Sequence, residues 1–324
     1  MSAARAARPD QSQRPLVIGL VNNMGVAAMA PTQAQFAGLL RATGRPAQLV
    51  CFTMRPPQER PHDHLPLEAL ADYGVDAIIV TGMELTTSNL RDEWLWPRFT
   101  RLYDWCEQES MPAIWSCLAA HAAVLHRDGI VRQPLGAKLS GVFDCERNDL
   151  PHRLTKNLPA RWQCPHSRYN GLSREALLAR GYTILSGSDA VGVDIFTHGA
   201  NSASFYFQGH PEYQTLTLLK EFLRDLRRYV TGESSICPAV PAAYLDAPAE
   251  EEFTVLREWA LAGQDVMHGA HSRALCATVK PDWTAAATQL YANWLDIVAE
   301  HTLHLRAEWA MRPGATSTMR AAAR

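Results

Sequence analysis

Short apolar runs alternate with amphipathic stretches along the first part of this chain. Residues 15–21 (PLVIGLV) have the continuous hydrophobicity of a buried strand. Helical periodicity follows over 31–43, with Phe36, Leu39 and Leu40 on one face. A second strand is predicted over 47–52, a polar, proline-rich loop over 55–64, and a short helix over 65–73. The run 76–82 reads as a third strand closed by glycine, 92–109 as a helix rich in aromatics, and 113–116 as a fourth strand. This alternation predicts an α/β fold: a mostly parallel sheet with helices on both faces and ligands outside the carboxyl ends of the strands. Thr81-Gly82 and Cys117 both follow strands, which puts them on one rim.

The middle, 136–204, is denser in turn signals. Strands are predicted at 183–185, 191–196 and 203–207. A helix over 213–229 carries Glu221 and Arg224, three apart and so on one face. Residues 237–250 are rich in proline and alanine and read as a linker. Two further helices are expected at about 251–264 and 283–309. The chain divides into a tail (1–14), one domain (15–235), a linker with C-terminal helices packing on that domain (236–312), and a second tail (313–324).

Composition narrows the function classes. With 324 residues, 47% of them apolar, the chain can bury one large core. A net charge of -2 gives no reason to expect nucleic acid or another polyanion as partner. The seven cysteines are odd in number and form no C-x-x-C pair. That argues against a disulfide framework or a zinc site and fits a reducing cytoplasm. The first residues lack the hydrophobic stretch of a secretory signal, and no run approaches membrane-spanning length.

The chemistry lies in two stretches. In Ala113-Ile114-Trp115-Ser116-Cys117-Leu118 a strand runs into a helix through a cysteine. There the helix macrodipole favours a thiolate, and the Leu118 N–H is a natural oxyanion donor. A second donor is expected from the 81–85 turn. In Gly209-His210-Pro211-Glu212 a base is followed by a carboxylate able to orient it. Cys117, His210 and Glu212 together specify acyl transfer through a covalent intermediate. Cys51, Cys106, Cys145, Cys164, Cys237 and Cys276 lack such a context and read as structural.

The segment Gly209-His210-Pro211-Glu212-Tyr213, then Thr217-Leu218, Glu221 and Arg224-Asp225, resembles the homoserine O-succinyltransferase family, whose fold is class I glutamine amidotransferase-like (flavodoxin-like). Ile79–Gly82, Lys138–Val142, Pro165–Arg168, Trp283 and Asn293–Leu295 agree, in the same order. The resemblance implies a ping-pong reaction with no bound cofactor. Cys117 would take an acyl group from acyl-CoA, and His210, supported by Glu212, would activate the hydroxyl of L-homoserine. It implies that Lys138 lies near the acyl-CoA, and that Ser167, Arg168, Glu221 and Arg224 serve the amino acid. Homodimers are common in the family.

Three departures from the family pattern bear on specificity. Leu118 and His121 replace a tryptophan and a glutamine, and His121 is expected to pack within the helix. The acyl-selecting position, commonly glycine in succinyl enzymes and glutamate in acetyl enzymes, aligns with Thr86. Threonine carries no charge and can donate a hydrogen bond, which favours succinyl-CoA over acetyl-CoA. The alternatives are a homoserine O-acetyltransferase or related amino-acid O-acyltransferase, an amidotransferase-type glutaminase, and a non-catalytic binding descendant.

Overall fold

The computed structural model of the chain describes residues 14–199, 202–264, 266–267, 270, 277–280 and 282–311. The two expected tails fall almost wholly outside these residues, as does Cys276. Strands β1 (Leu16–Val21), β2 (Ala47–Thr53), β3 (His64–Pro66), β4 (Ala77–Val80) and β5 (Ala113–Ser116) build the first half of the sheet. Strands β6 (Gln133–Arg147), β7 (Arg161–Gly171), β8 (Tyr182–Ser188), β9 (Gly192–His198) and β10 (Phe205–Phe207) complete it. The order is β3-β2-β1-β4-β5-β10-β9-β8-β6-β7. From β3 to β10 every pairing is parallel, and from β10 to β7 every pairing is antiparallel.

Both faces of the sheet are covered. Alternate side chains of one strand feed opposite cores, as the two-residue repeat of a strand requires. In β4, Ala77 and Ile79 join one core, and Ile78 and Val80 the other. Helix α1 (Val26–Ala42), α6 (Thr217–Val230) and α8 (Thr284–Met311) contribute to the first face through Phe36, Leu223 and Trp294. Helix α3 (Trp96–Gln108), α4 (Leu118–Asp128) and α5 (Arg174–Ala179) cover the second through Phe99, Val124 and Leu177.

The differences from expectation have local causes. Helix α1 begins at Val26, not 31, and Pro31 lies inside it. Pro31 forfeits one backbone bond, while buried Met29 holds the added turn against the core. The helix expected over 65–73 shrinks to α2 (Leu70–Tyr73) because His64, Leu65 and Pro66 pair with β2. The turn-rich middle contains a long antiparallel hairpin, β6–β7, which the turn signals conceal. Pro134 and Gly136 sit at its register shift.

Gly141 lies within β6 because another strand-like segment crosses there. A Cβ at Gly141 would stand 2.3 Å from the Ala242 carbonyl oxygen. Ala242 N donates to Ser140 O at 2.8 Å, and Val142 N donates to Ala242 O at 3.0 Å. The expected linker is thus partly docked on β6, ahead of helix α7 (Ala247–Leu261). Asn293 on α8 donates to the carbonyls of Leu154 and Lys156 at 2.8 and 2.7 Å. Trp283 Nε1 donates to Tyr213 O at 2.9 Å, which ties the C-terminal segment to the loop following β10.

Candidate active site

The nucleophile corner forms where β5 meets α4. Cys117 has φ 52° and ψ -111°, a backbone region that non-glycine residues rarely occupy. Its N–H donates to Phe207 O at 2.7 Å, so the end of β10 holds the strained residue in place. Leu118 is the first residue of α4, and its N–H has no acceptor within the helix. Gly82, after β4, passes directly over it. A Cβ there would lie 3.0 Å from Leu118 Cβ and 3.3 Å from Leu118 N. Glycine therefore leaves that donor uncovered for a developing oxyanion.

His210 and Glu212 follow β10. His210 Nδ1 faces Glu212 Oε1 at 2.8 Å, and both side chains are buried. Burial alone would lower the imidazole pKa. The charges of Cys117 and Glu212 outweigh it and hold the imidazole well above its usual range. The ring of Tyr213 stacks on His210 with centroids 4.3 Å apart and planes 20° off parallel. Gly209 has no room for a side chain: a Cβ would stand 2.6 Å from both Asp194 Oδ1 and Cys164 Sγ.

A cavity of about 590 Å³ opens over this corner. Cys117, Leu118, Lys138, Ser167, Arg168, His210, Glu212, Glu221 and Arg224 all line it. Glu221 is the hub of its polar side. Ser167 Oγ donates to Glu221 Oε2, and Tyr213 OH donates to Oε1 at 2.7 Å. Lys138 Nζ lies 3.6 Å from Glu221 and 2.8 Å from Asp225, which Arg224 also grips at 2.8 and 2.9 Å. Burial would raise the Glu221 carboxyl, but Lys138, the two hydroxyls and Arg224 hold it below the usual range. The pair on α6 is therefore part of a network and not an isolated surface contact.

Arg168 differs from the other cations. It is buried and donates to the carbonyls of Asn170, at 2.7 Å, and Val191. Behind it lie His166, Asp194 and Cys145, whose ligand atoms fall within 4.8 Å of one another. Hydrogen bonds engage part of this cluster. Arg168 Nε donates a long bond, 3.5 Å, to His166 Nδ1, so the hydrogen of the neutral ring is on Nε2, which lies 3.9 Å from Cys145 Sγ and 3.4 Å from Asp194 Oδ1. Burial, with the charges of Arg168 and His210, holds His166 neutral. Ser186 Oγ donates to the other Asp194 oxygen at 2.8 Å.

Thr86 stands apart. It is exposed and does not line the cavity, whereas Met83, Glu84 and Leu85 do. Its hydroxyl donates to Glu93 Oε2 at 2.9 Å and its N–H to Oε1 at 2.7 Å, so the hydroxyl proton expected to serve a ligand is committed to Glu93. His121 is buried within α4, as expected, and also borders the cavity. Its Nε2 pairs with Gln208 Oε1 at 2.8 Å, and burial pushes its pKa down to about 4. Cys51 and Cys106 are buried thiols pushed up by burial, Cys51 to about 12. Sequence reasoning assigned no role to Tyr213, Asp225 or Arg132. Tyr213 and Asp225 stand beside Glu212 and Arg224 in the motif; Arg132 carries no sequence signal of its own.

Comparison with known proteins gives the family and the fold. A family model described as homoserine O-succinyltransferase matches residues 1–304. A homoserine O-succinyltransferase of Bradyrhizobium japonicum is 40% identical over 299 residues, spanning 88% of this chain and 90% of the relative. One from Rhodopseudomonas palustris is 41% identical over 302 residues, spanning 89% and 90%. Among solved structures, a glutamine amidotransferase from Thermotoga maritima matches with TM-score 0.52 at 11% identity, covering 89% of this chain and 100% of that one. Another, from Methylobacillus flagellatus, matches with TM-score 0.52 at 14% identity, covering 88% and 95%. At such identities the likeness is one of fold. Among the described residues, no helix is long and apolar enough to cross a membrane.

Proposed function

This chain belongs to the homoserine O-succinyltransferase family, and on that premise we propose that it transfers a succinyl group from succinyl-CoA to the hydroxyl of L-homoserine. The observation that carries the reading is the strained Cys117 at the head of α4, facing the His210–Glu212 pair inside the cavity that also holds Glu221 and Arg224.

The steps follow from these groups. The Cys117 sulfur attacks the thioester carbonyl, and the oxyanion forms under the Leu118 N–H. The carbon–sulfur bond to CoA breaks, and His210 gives its proton to the leaving thiolate. Acylation removes the negative charge on Cys117 that helps hold the His210 proton. The imidazole is thereby left as the base for the second half. It accepts the homoserine hydroxyl proton as that oxygen attacks the acyl-enzyme, and the Cys117 thiolate leaves. Glu221 suits the α-ammonium of the amino acid and the Arg224 guanidinium its carboxylate. Ser167 and Arg168 border the same subsite.

The test is intact-protein mass spectrometry after mixing with succinyl-CoA alone. A succinyl adduct that L-homoserine discharges, and that Cys117→Ala cannot form, is the expected result. Glutamine hydrolysis with no adduct would replace this reading with the glutaminase one.

A further inference from the structure

The cavity is lined by five basic side chains, and four are already engaged. Lys138 and Arg224 share Asp225. Arg228 pairs with Glu84 at 2.7 Å. Arg168 is buried and donates to two backbone carbonyls and His166. Arg132 is the exception. Among the described residues its side chain makes one hydrogen bond, from Nη2 to Ser88 O at 3.0 Å, and it has no carboxylate partner in contact. It lies just beyond α4, the helix that Cys117 opens, and lines the same cavity.

We infer that Arg132 is a specificity residue that binds the distal carboxylate of the succinyl group on the donor and on the acyl-enzyme. A succinyl thioester places that carboxylate two methylenes from the carbonyl carbon, within the cavity that Cys117 and Arg132 both line, where a cation would stabilise it. Arg132 is anchored by Ser88 to the 83–88 loop, whose first residues border the nucleophile corner. Burial lowers the Arg132 pKa, opposed by the charges of Glu93 and Cys117. Glu93 is no competitor for its donors, because both carboxylate oxygens already accept from Thr86 and Thr87. A guanidinium with unspent donors suits a carboxylate, which it can grip with two parallel bonds.

The inference rests on the proposed acyl transfer, and its test separates the two. Single-turnover acylation of Cys117 is followed by mass for the wild type, Arg132→Gln and Arg132→Lys, each with succinyl-CoA and with butyryl-CoA. Butyryl has the same carbon chain without the carboxylate. Arg132→Gln should slow succinylation on the order of a hundredfold and leave butyrylation unchanged or faster. Arg132→Lys, which keeps charge but not the fork, should fall between and carries the test if Arg132→Gln does not fold. An equal fall with both donors would assign Arg132 to the phosphates of CoA or to the fold and overturn the inference. So would an unchanged ratio. A wild type that forms no adduct would overturn the acyltransfer reading itself, and this subsite with it.

Discussion

The parallel and antiparallel halves of the sheet hold different kinds of groups. The parallel half ends in a single corner: Cys117 after β5, Gly82 after β4, and His210 with Glu212 after β10. Its chemistry depends on backbone placement: a positive φ, a glycine without room for a side chain, and an N–H at the head of a helix. The antiparallel half supplies Lys138 from β6 and Ser167 from β7, which meet Glu221 on α6, and Arg168 from β7, which lines the same cavity as Arg224. These meet through side-chain hydrogen bonds and charge. Strand β10 joins the halves, parallel to β5 and antiparallel to β9. One half thus suits bond making, which both half-reactions share, and the other suits recognition, which each half-reaction uses separately.

Removing the carboxylate of the His210–Glu212 pair should have the largest effect. Glu212→Gln should slow both acylation and discharge about a thousandfold, as the imidazole loses its orientation. The sign of the accompanying pH change is fixed. The Glu212 charge is one of the two that raise His210. Without it His210 sheds its proton at lower pH, so the alkaline limb of acylation should move toward acid. A limb that stays in place, or damage to one half-reaction only, would deny that Glu212 acts through His210.

Glu221→Ala comes next and sharpens the contrast. It should slow discharge by L-homoserine on the order of a hundredfold, the scale of losing one charged partner of a bound ion. Acylation by succinyl-CoA should change little. If stopped-flow measurement of the two half-reactions found equal losses, the division between bond-making and recognition halves would fail.

The two halves also differ in how much of them was legible in the sequence. In the parallel half, apolar runs placed β1, β2, β4 and β5 closely, because strands buried on both faces read as continuous hydrophobic stretches. Cys117 and Leu118 are read from the strand-to-helix corner taken together with the His210–Glu212 stretch. In the antiparallel half the runs at 183–185 and 191–196 placed β8 and β9, but the hairpin β6–β7 was not legible as structure. The 15-residue strand β6 contains Pro134, Gly136 and Gly141, which read as turns. Gly141 is there for the approach of Ala242, a contact a hundred residues away that no local pattern reveals. Its site residues came from resemblance to a family, since a lone lysine or serine on a strand carries no signal. Arg132 and Tyr213 act through where they end up, so only the folded chain brings them forward.

The smallest effect tests the seam between the halves. Tyr213 touches both: its ring stacks on His210, and its hydroxyl donates to Glu221 Oε1 at 2.7 Å. Tyr213→Phe keeps the ring and removes only that hydrogen bond. Glu221 retains Ser167 and Lys138, so the loss belongs at the low end for a bond to a charged group, about 1.5 kcal/mol. That corresponds to roughly tenfold slower discharge by L-homoserine, with acylation by succinyl-CoA within about twofold of wild type on the same scale. A larger substitution, Tyr213→Ala, removes the stack as well and should slow both steps. If Tyr213→Phe slowed both steps equally, the hydroxyl would be acting through the imidazole, and the two halves would be one coupled unit rather than neighbours sharing a cavity.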